Sequence, residues 1–292
     1  MKLCRFEHEG AVRSGIVVDG DIIDLHRAAP GLAAKFQPGD TRALLNLGES
    51  FLGECRGLIA GAPAEARIPL EEATLLAPIA NPSRIICSWV NYLNPAMAKL
   101  PDQPIFFSKY ESAITGPGAP IRLPKIASDI VVEPEMTAVI GTAGRHIAEA
   151  DALSHVAGYT IVNDVTAFSH RLQIMVGAQG PYGMAKTFDT FAPSGPWITT
   201  RDEIADPHAL EVRQFLNGEL KTSANTSEAV FKLPRLIAYL SGFFELQPGD
   251  LILTGSPPPN AGKPDFLSHG DVVRIEIQGL GVLENPVAPD KL

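Results

Sequence analysis

Short apolar runs separated by turn residues dominate the chain, and few of them carry the three-to-four-residue period of a helix. Ala11 to Val18, a turn at Asp19-Gly20-Asp21 and Ile22 to Leu25 predict a small β-hairpin, since Asp-Gly suits a tight hairpin turn. Leu44, Leu45, Leu47, Phe51, Leu52 and Leu58 recur irregularly between Thr41 and Ile59, where a helix is predicted. The stretch Ile68 to Pro82 has proline near both ends. It predicts a boundary between a small β-containing N-terminal domain, residues 1–75, and a larger domain, residues 76–292. Strand-like runs follow at Ile85 to Val90, Ile105 to Ser108, Ile130 to Gly141, Gly158 to Val162, Pro196 to Thr199, Leu210 to Leu216, Leu251 to Thr254 and Val272 to Ile277. Helices are predicted at Ala148 to Val156, ending on Gly158, and at Leu233 to Phe244, with Asn225 and Thr226 upstream as caps. Many strands and few helices predict a strand-rich α+β protein built on a mixed β-sandwich or roll.

Composition narrows the function classes. With 292 residues, 45% hydrophobic and 20% charged, the chain can bury a large core. Lys plus Arg number 24 against 33 Asp plus Glu, a net charge of −9, and no basic block is dense enough to neutralise a nucleic-acid backbone. Three widely spaced cysteines, Cys4, Cys55 and Cys87, offer neither a disulfide framework nor a CxxC pair, so a reducing cytoplasm is expected. The start, MKLCRFEHEG, is charged where an export signal is apolar, and no run approaches about 18 uninterrupted apolar residues. The protein is expected to be soluble, with neither membrane nor nucleic acid as a partner.

The chemistry concentrates in three segments. In Val131-Val132-Glu133-Pro134-Glu135-Met136, strand alternation places Glu133 and Glu135 on one face and Met136, Ala138 and Ile140 on the other. Two carboxylates held that close raise each other's pKa unless a cation lies between them, which favours a hard divalent metal. A bare Glu-x-Glu equally fits a solvated strand end. The run Gly158 to Val162 ends on Asn163-Asp164, so Asp164 is either a third oxygen ligand or a strand-end cap. Three carboxylates without His or Cys suit Mg²⁺ or Mn²⁺, or Ca²⁺, better than Zn²⁺. Lys186, in Met184-Ala185-Lys186-Thr187-Phe188, either meets an anion at such a site or covers Phe188 on the surface. In Pro248-Gly249-Asp250-Leu251-Ile252-Leu253-Thr254-Gly255-Ser256-Pro257 a strand runs between two turns, where Thr254 and Gly255 can offer donors to a ligand or simply close a hairpin.

Taken in order, ExE-x(4)-IG, GYT-x-x-ND-V-T-A, K-T-F-D-T-F-x-P-x-G-P, N-G-E, and P-G-D-x-I-x-T-G-S-P followed by H-G-D resemble the fumarylacetoacetate hydrolase family over roughly Pro82 to Val287. The resemblance implies a mixed β-roll catalytic domain, a homodimer, and a divalent metal, magnesium or manganese, on Glu133, Glu135 and Asp164. By position it makes Lys186 the active-site lysine and Thr254 the threonine of the family's TGTP turn. Lys109 and Ser112 match its F-x-K-x-x-S segment. The implied substrate is a 2-oxo acid or 1,3-dicarbonyl such as an acylpyruvate, with C–C bond hydrolysis through a metal-stabilised enolate as the default reaction.

Three places depart from the family pattern, one of them the TGTPxGV turn, which reads Thr254-Gly255-Ser256-Pro257-Pro258-Pro259-Asn260. Where the family carries NYxxHA, with a water-activating histidine, this chain has Asn91-Tyr92-Leu93-Asn94-Pro95-Ala96, and Phe168 replaces an arginine after Asp-Val-Thr-Ala. Tyr92 and Phe168 are therefore expected at the substrate. His170, close in sequence to Asp164, is either a relocated base or a surface histidine. The loss at Pro95 opens two alternatives to hydrolysis: a tautomerase, isomerase or decarboxylase of a 2-oxo acid, or a non-catalytic paralogue that binds metal and metabolite.

Overall fold

The computed structural model describes residues 1–93, 101–169 and 182–290. Strands dominate, and an N-terminal domain is followed by a larger, strand-rich domain. The hairpin forms from Ala11–Val18 and Asp21–Asp24, with Val18 opposite Asp21. Asp19 and Gly20 both hold positive φ, 51° and 88°, which matches the twist of the paired strands. Lys2–His8 pairs with this hairpin and, through Lys2 and Leu3, with Ala192–Thr200. The N-terminal strands thereby extend the main sheet.

Among the described residues, that sheet continues from Ala192–Thr200 through Val156–Asn163, Pro134–Ile140, Leu251–Leu253 and Ile85–Trp89 to Ile105–Lys109. Leu251–Leu253 is antiparallel to Pro134–Ile140 but parallel to Ile85–Trp89, so the sheet is mixed. Pro134–Ile140 and Val156–Asn163 are buried along their whole length, as strands covered on both faces must be. A second sheet, which includes Glu211–Leu216 and Val272–Ile277, alternates. Its Val273, Ile275 and Ile277 point into the core while Val272 is exposed. Among the described residues no helix is long and apolar enough to cross a membrane, and the three cysteines are free and buried.

Several local expectations are corrected. The helix expected from Thr41 to Ile59 is two, Thr41–Leu45 and Gly48–Leu58, broken where Gly48 takes φ +78°. The helix expected at Ala148 to Val156 is a 3-10 segment, Glu149–His155, and Val156 already starts the next strand. Gly158 therefore ends no helix. It lies inside a strand, where an added Cβ would stand 2.3 Å from the Thr199 carbonyl oxygen; glycine is there because the neighbouring backbone approaches so closely. Asn225 caps the short turn Thr226–Glu228, and the helix downstream is Leu233–Ser241, shorter than expected. The run Ile130 to Gly141 splits into Ile130–Val131 and Pro134–Ile140, because Pro134 has no N–H for a continuous ladder.

Close approach at Gly158 predicts that Gly158→Ala lowers unfolding free energy by about 1–3 kcal/mol. Gly53, exposed in the interior of Gly48–Leu58, has open space around a would-be Cβ, and Gly53→Ala is expected to raise stability by about 0.5–1 kcal/mol. Urea denaturation of both variants checks the two signs.

Candidate active site

The split at Pro134 creates the site. Asn163 sits opposite Pro134 in the antiparallel pair, so the end of one strand lies against the break in the other. The Asp164 N–H donates to the Glu133 carbonyl (2.9 Å), and the Glu133 N–H donates to Asn163 Oδ1 (3.1 Å). Glu133, Glu135 and Asp164 consequently converge, each with a carboxylate oxygen within 4.8 Å of the others. Oxygens bound to one hard cation at about 2.0–2.6 Å lie no more than about 5 Å apart. The spacing and the all-oxygen donor set therefore fit a single hard divalent cation.

Neither glutamate matches a solvated strand end. Glu135 is 2% exposed, and its Oε2 accepts the Gly255 N–H at 2.5 Å. Glu133 is partly exposed and accepts from Thr166 Oγ1 at 3.2 Å. Burial pushes the Glu135 carboxyl well above the ordinary carboxylate range; Asp164 adds to the rise, and Lys186 opposes it. Burial also acts to raise Asp164, but Lys109 and Lys186 outweigh it and hold that carboxyl below its ordinary value.

Two buried ammonium groups supply that balance. Lys186, at the end of the 3-10 segment Tyr182–Lys186, donates to Asp164 Oδ2 (2.7 Å) and to Glu133 Oε2, and lies 4.8 Å from the Phe107 ring centroid. It is 1% exposed, so the alternative of a surface lysine is excluded. Lys109 donates to Asp164 Oδ1 (2.5 Å) and to the Val165 carbonyl (3.0 Å), and its side chain has no exposed surface. In this structure Lys109, expected at the substrate, is buried and anchors the aspartate. Ser112 is exposed on the turn Glu111–Ala113 and takes no part in the cluster's hydrogen bonds given above.

Thr254 is placed beside the cluster but is already engaged, with its Oγ1 donating to the Met136 carbonyl at 2.8 Å. Its hydroxyl proton is therefore held by backbone rather than offered to a ligand. Tyr92 is buried; desolvation, with help from Glu135 and Glu228, raises its pKa and keeps the phenol protonated. Phe168 is half-buried, with its ring centroid 6.5 Å from that of Phe266. His170 and Pro95 lie outside the described residues. Of the other histidines, His208 accepts the Leu233 N–H at 3.1 Å, a bond that holds a helix start. The contributions of Asn91 and Thr166 carry no sequence signal, because each acts on a carboxylate or a backbone group rather than through a recognisable ligand spacing.

The pH dependence follows from the sign of the Glu135 shift. A carboxyl whose pKa is raised by folding contributes stability that is fully present below the unfolded value and is lost as pH rises through the folded one. Metal-free Glu135→Gln should therefore lose less stability than the unsubstituted protein as pH rises above the ordinary glutamate value of 4.5. The same variant should lose Mn²⁺ binding. Denaturation at several pH values and calorimetric titration check both.

The chain is similar to known proteins over most of its length. The family described as fumarylacetoacetate (FAA) hydrolase C-terminal matches residues 84–288, and the one described as Rv2993c-like, N-terminal matches residues 1–78. An oxaloacetate tautomerase, fahd2, mitochondrial, of Xenopus laevis is 40% identical over 298 residues, covering 98% of this chain and 90% of that protein. A crystal structure of maleylpyruvate hydrolase from Sphingobium sp. SYK-6 with manganese(II) and pyruvate is 30% identical, with a TM-score of 0.83 and full coverage of both chains. A crystal structure of 5-carboxymethyl-2-hydroxymuconate delta-isomerase from Mycobacterium smegmatis is also 30% identical, with a TM-score of 0.77 over 99% of this chain and 100% of that one. Matched over most of its length and by relatives that span 98–100% of it, the chain belongs to the fumarylacetoacetate hydrolase family.

Proposed function

We propose that this enzyme is a divalent-metal-dependent tautomerase of a small 2-oxo acid, with oxaloacetate as the first candidate. The observation that carries this reading is the largely buried set Glu133, Glu135, Asp164 and Lys186, a candidate cation site with an ammonium beside it, in a chain 40% identical to an oxaloacetate tautomerase. It displaces hydrolysis as the default because Pro95 stands where the family's water-activating histidine is expected. Glu133, Glu135 and Asp164 would hold the ion, and Mg²⁺ or Mn²⁺ is favoured over Ca²⁺ by the manganese(II) in the similar maleylpyruvate hydrolase structure. When bound, such an ion polarises the 2-oxo group and offsets charge that develops on its oxygen.

The protein's own groups account for the rest. Conversion of enol to ketone removes the proton from the hydroxyl oxygen and delivers one to C3. Only protons change place, and no water is consumed. Lys186, fixed by Glu133 and Asp164, stays protonated and donates a hydrogen bond to the 2-oxo oxygen, stabilising it as the hydroxyl proton leaves to solvent water and C3 takes one from solvent water. Tyr92, protonated and next to Glu135 in the field of the site, supplies a second hydroxyl donor. Phe168 and Phe266 provide an apolar wall where the family's arginine is absent. A homodimer completes the proposal, supported by exposed apolar surface at Phe243 (63% exposed), which meets Tyr239 edge-on, Tyr239 in turn stacking on Phe106. Buried free cysteines support a reducing compartment, cytoplasm or, as in the Xenopus relative's name, the mitochondrion.

The test is ultraviolet loss of oxaloacetate enol with Mg²⁺, alongside proton NMR of oxaloacetate and an acylpyruvate, each repeated with a chelator. Chelator-sensitive enol loss without pyruvate release supports the proposal, and faster cleavage of the acylpyruvate contradicts it. Lys186→Met is expected to lower kcat about 10²–10³-fold, while Mn²⁺ binding by calorimetry is retained.

A further inference from the structure

We infer that Asn91 is a positioning residue that sets the divalent-cation affinity of the site by orienting one peptide group, the one joining Thr254 to Gly255. The inference rests on the metal site proposed above. Asn91 is 1% exposed, and its side chain is fully engaged. Its Nδ2 donates to the Thr254 carbonyl (2.7 Å) and the Phe231 carbonyl (2.9 Å), and its Oδ1 accepts the Phe231 N–H (2.7 Å). Its own main-chain carbonyl accepts the Val230 N–H at 2.7 Å. One amide thus joins the end of the strand Ile85–Trp89 to the segment before helix Leu233–Ser241 and to the turn after Leu251–Leu253.

The decisive feature is planarity. The Thr254 C=O and the Gly255 N–H belong to one rigid peptide unit and point in opposite directions. Asn91 binds the oxygen, and Glu135 Oε2 accepts from the nitrogen at 2.5 Å. Holding the oxygen aims the N–H at the carboxylate. Gly255 has φ +94°, a conformation without a steric preference for one orientation of the preceding peptide when no side chain is present. The turn also packs directly on Asn91: a Cβ at Gly255 would stand 2.7 Å from Asn91 Cβ. Without the amide, the peptide can rotate, the N–H leaves Glu135, and that carboxylate loses the bond that fixes its orientation. Outer hydrogen bonds of this kind are worth about 10–100-fold in metal affinity.

Asn285 is a matched control. It is equally buried, and its Nδ2 donates to the Gly116 and Ala119 carbonyls at 2.9 Å each. The experiment measures Mn²⁺ dissociation constants by calorimetry for the unsubstituted protein, Asn91→Ala, Asn91→Leu and Asn285→Ala, with the Gly255 amide proton shift recorded in each metal-free form. Asn91→Leu keeps the volume of the side chain, so it reports even if the alanine variant does not fold. The expected result is a dissociation constant raised about 10-fold or more in the Asn91 variants, with the Gly255 amide proton moved upfield and neither change in Asn285→Ala. Unchanged affinity and an unmoved amide in the Asn91 variants overturn this inference alone. Absence of Mn²⁺ binding in the unsubstituted protein overturns the metal site and the inference together.

Discussion

Everything at the candidate site depends on balancing charge in a place largely withdrawn from water. Three carboxylates and two ammonium groups share a small volume: Asp164, Lys109 and Lys186 are buried, and Glu135 lies deeper than Glu133. Isolated, any of these ions would be costly to desolvate. Together they leave one uncompensated negative charge, and burial first, with the neighbouring Asp164 adding to it, raises the Glu135 carboxyl above its ordinary range. A divalent cation reverses that imbalance. The ammonium of Lys186, already bridging Glu133 and Asp164, shows that the spot attracts positive charge.

The main sheet exists in the form it does to deliver these groups from different parts of the chain. Neighbouring strands end at the same rim: the break at Pro134 presents Glu133 and Glu135, the end of Val156–Asn163 presents Asp164, and the turn after Leu251–Leu253 presents the Gly255 N–H. Lys109 arrives at the end of Ile105–Lys109, two strands away in the sheet order. Burial of both faces of Pro134–Ile140 and Val156–Asn163 fixes their register, since a slip by one residue would carry Glu135 out of the cluster and an apolar neighbour into it. Rigidity of the strands thus becomes precision of the carboxylates.

Much of this was legible in the sequence. Alternation along Glu133-Pro134-Glu135 pointed to paired carboxylates, and the ordered motifs supplied the partners Asp164 and Lys186. The strands of the larger domain were marked by their apolar runs. What the pattern missed were features decided by tertiary contact. Gly158 resembled a helix end because glycine serves both as a C-cap and where backbones nearly touch. Lys109 matched a family segment, but only three-dimensional packing shows that it faces Asp164 from the buried side. Asn91 carried no signal beyond its place beside Tyr92, because its action on Glu135 passes through a backbone peptide that has no side-chain signature.

The central claim is that Glu133, Glu135 and Asp164 form one cation site. Anomalous diffraction from crystals grown with Mn²⁺ tests it most directly. The account predicts a single strong peak about 2.0–2.6 Å from an oxygen of each of the three carboxylates, with Lys186 remaining next to it. A peak bound elsewhere, or none with the Lys186 ammonium still bridging Glu133 and Asp164, would contradict it.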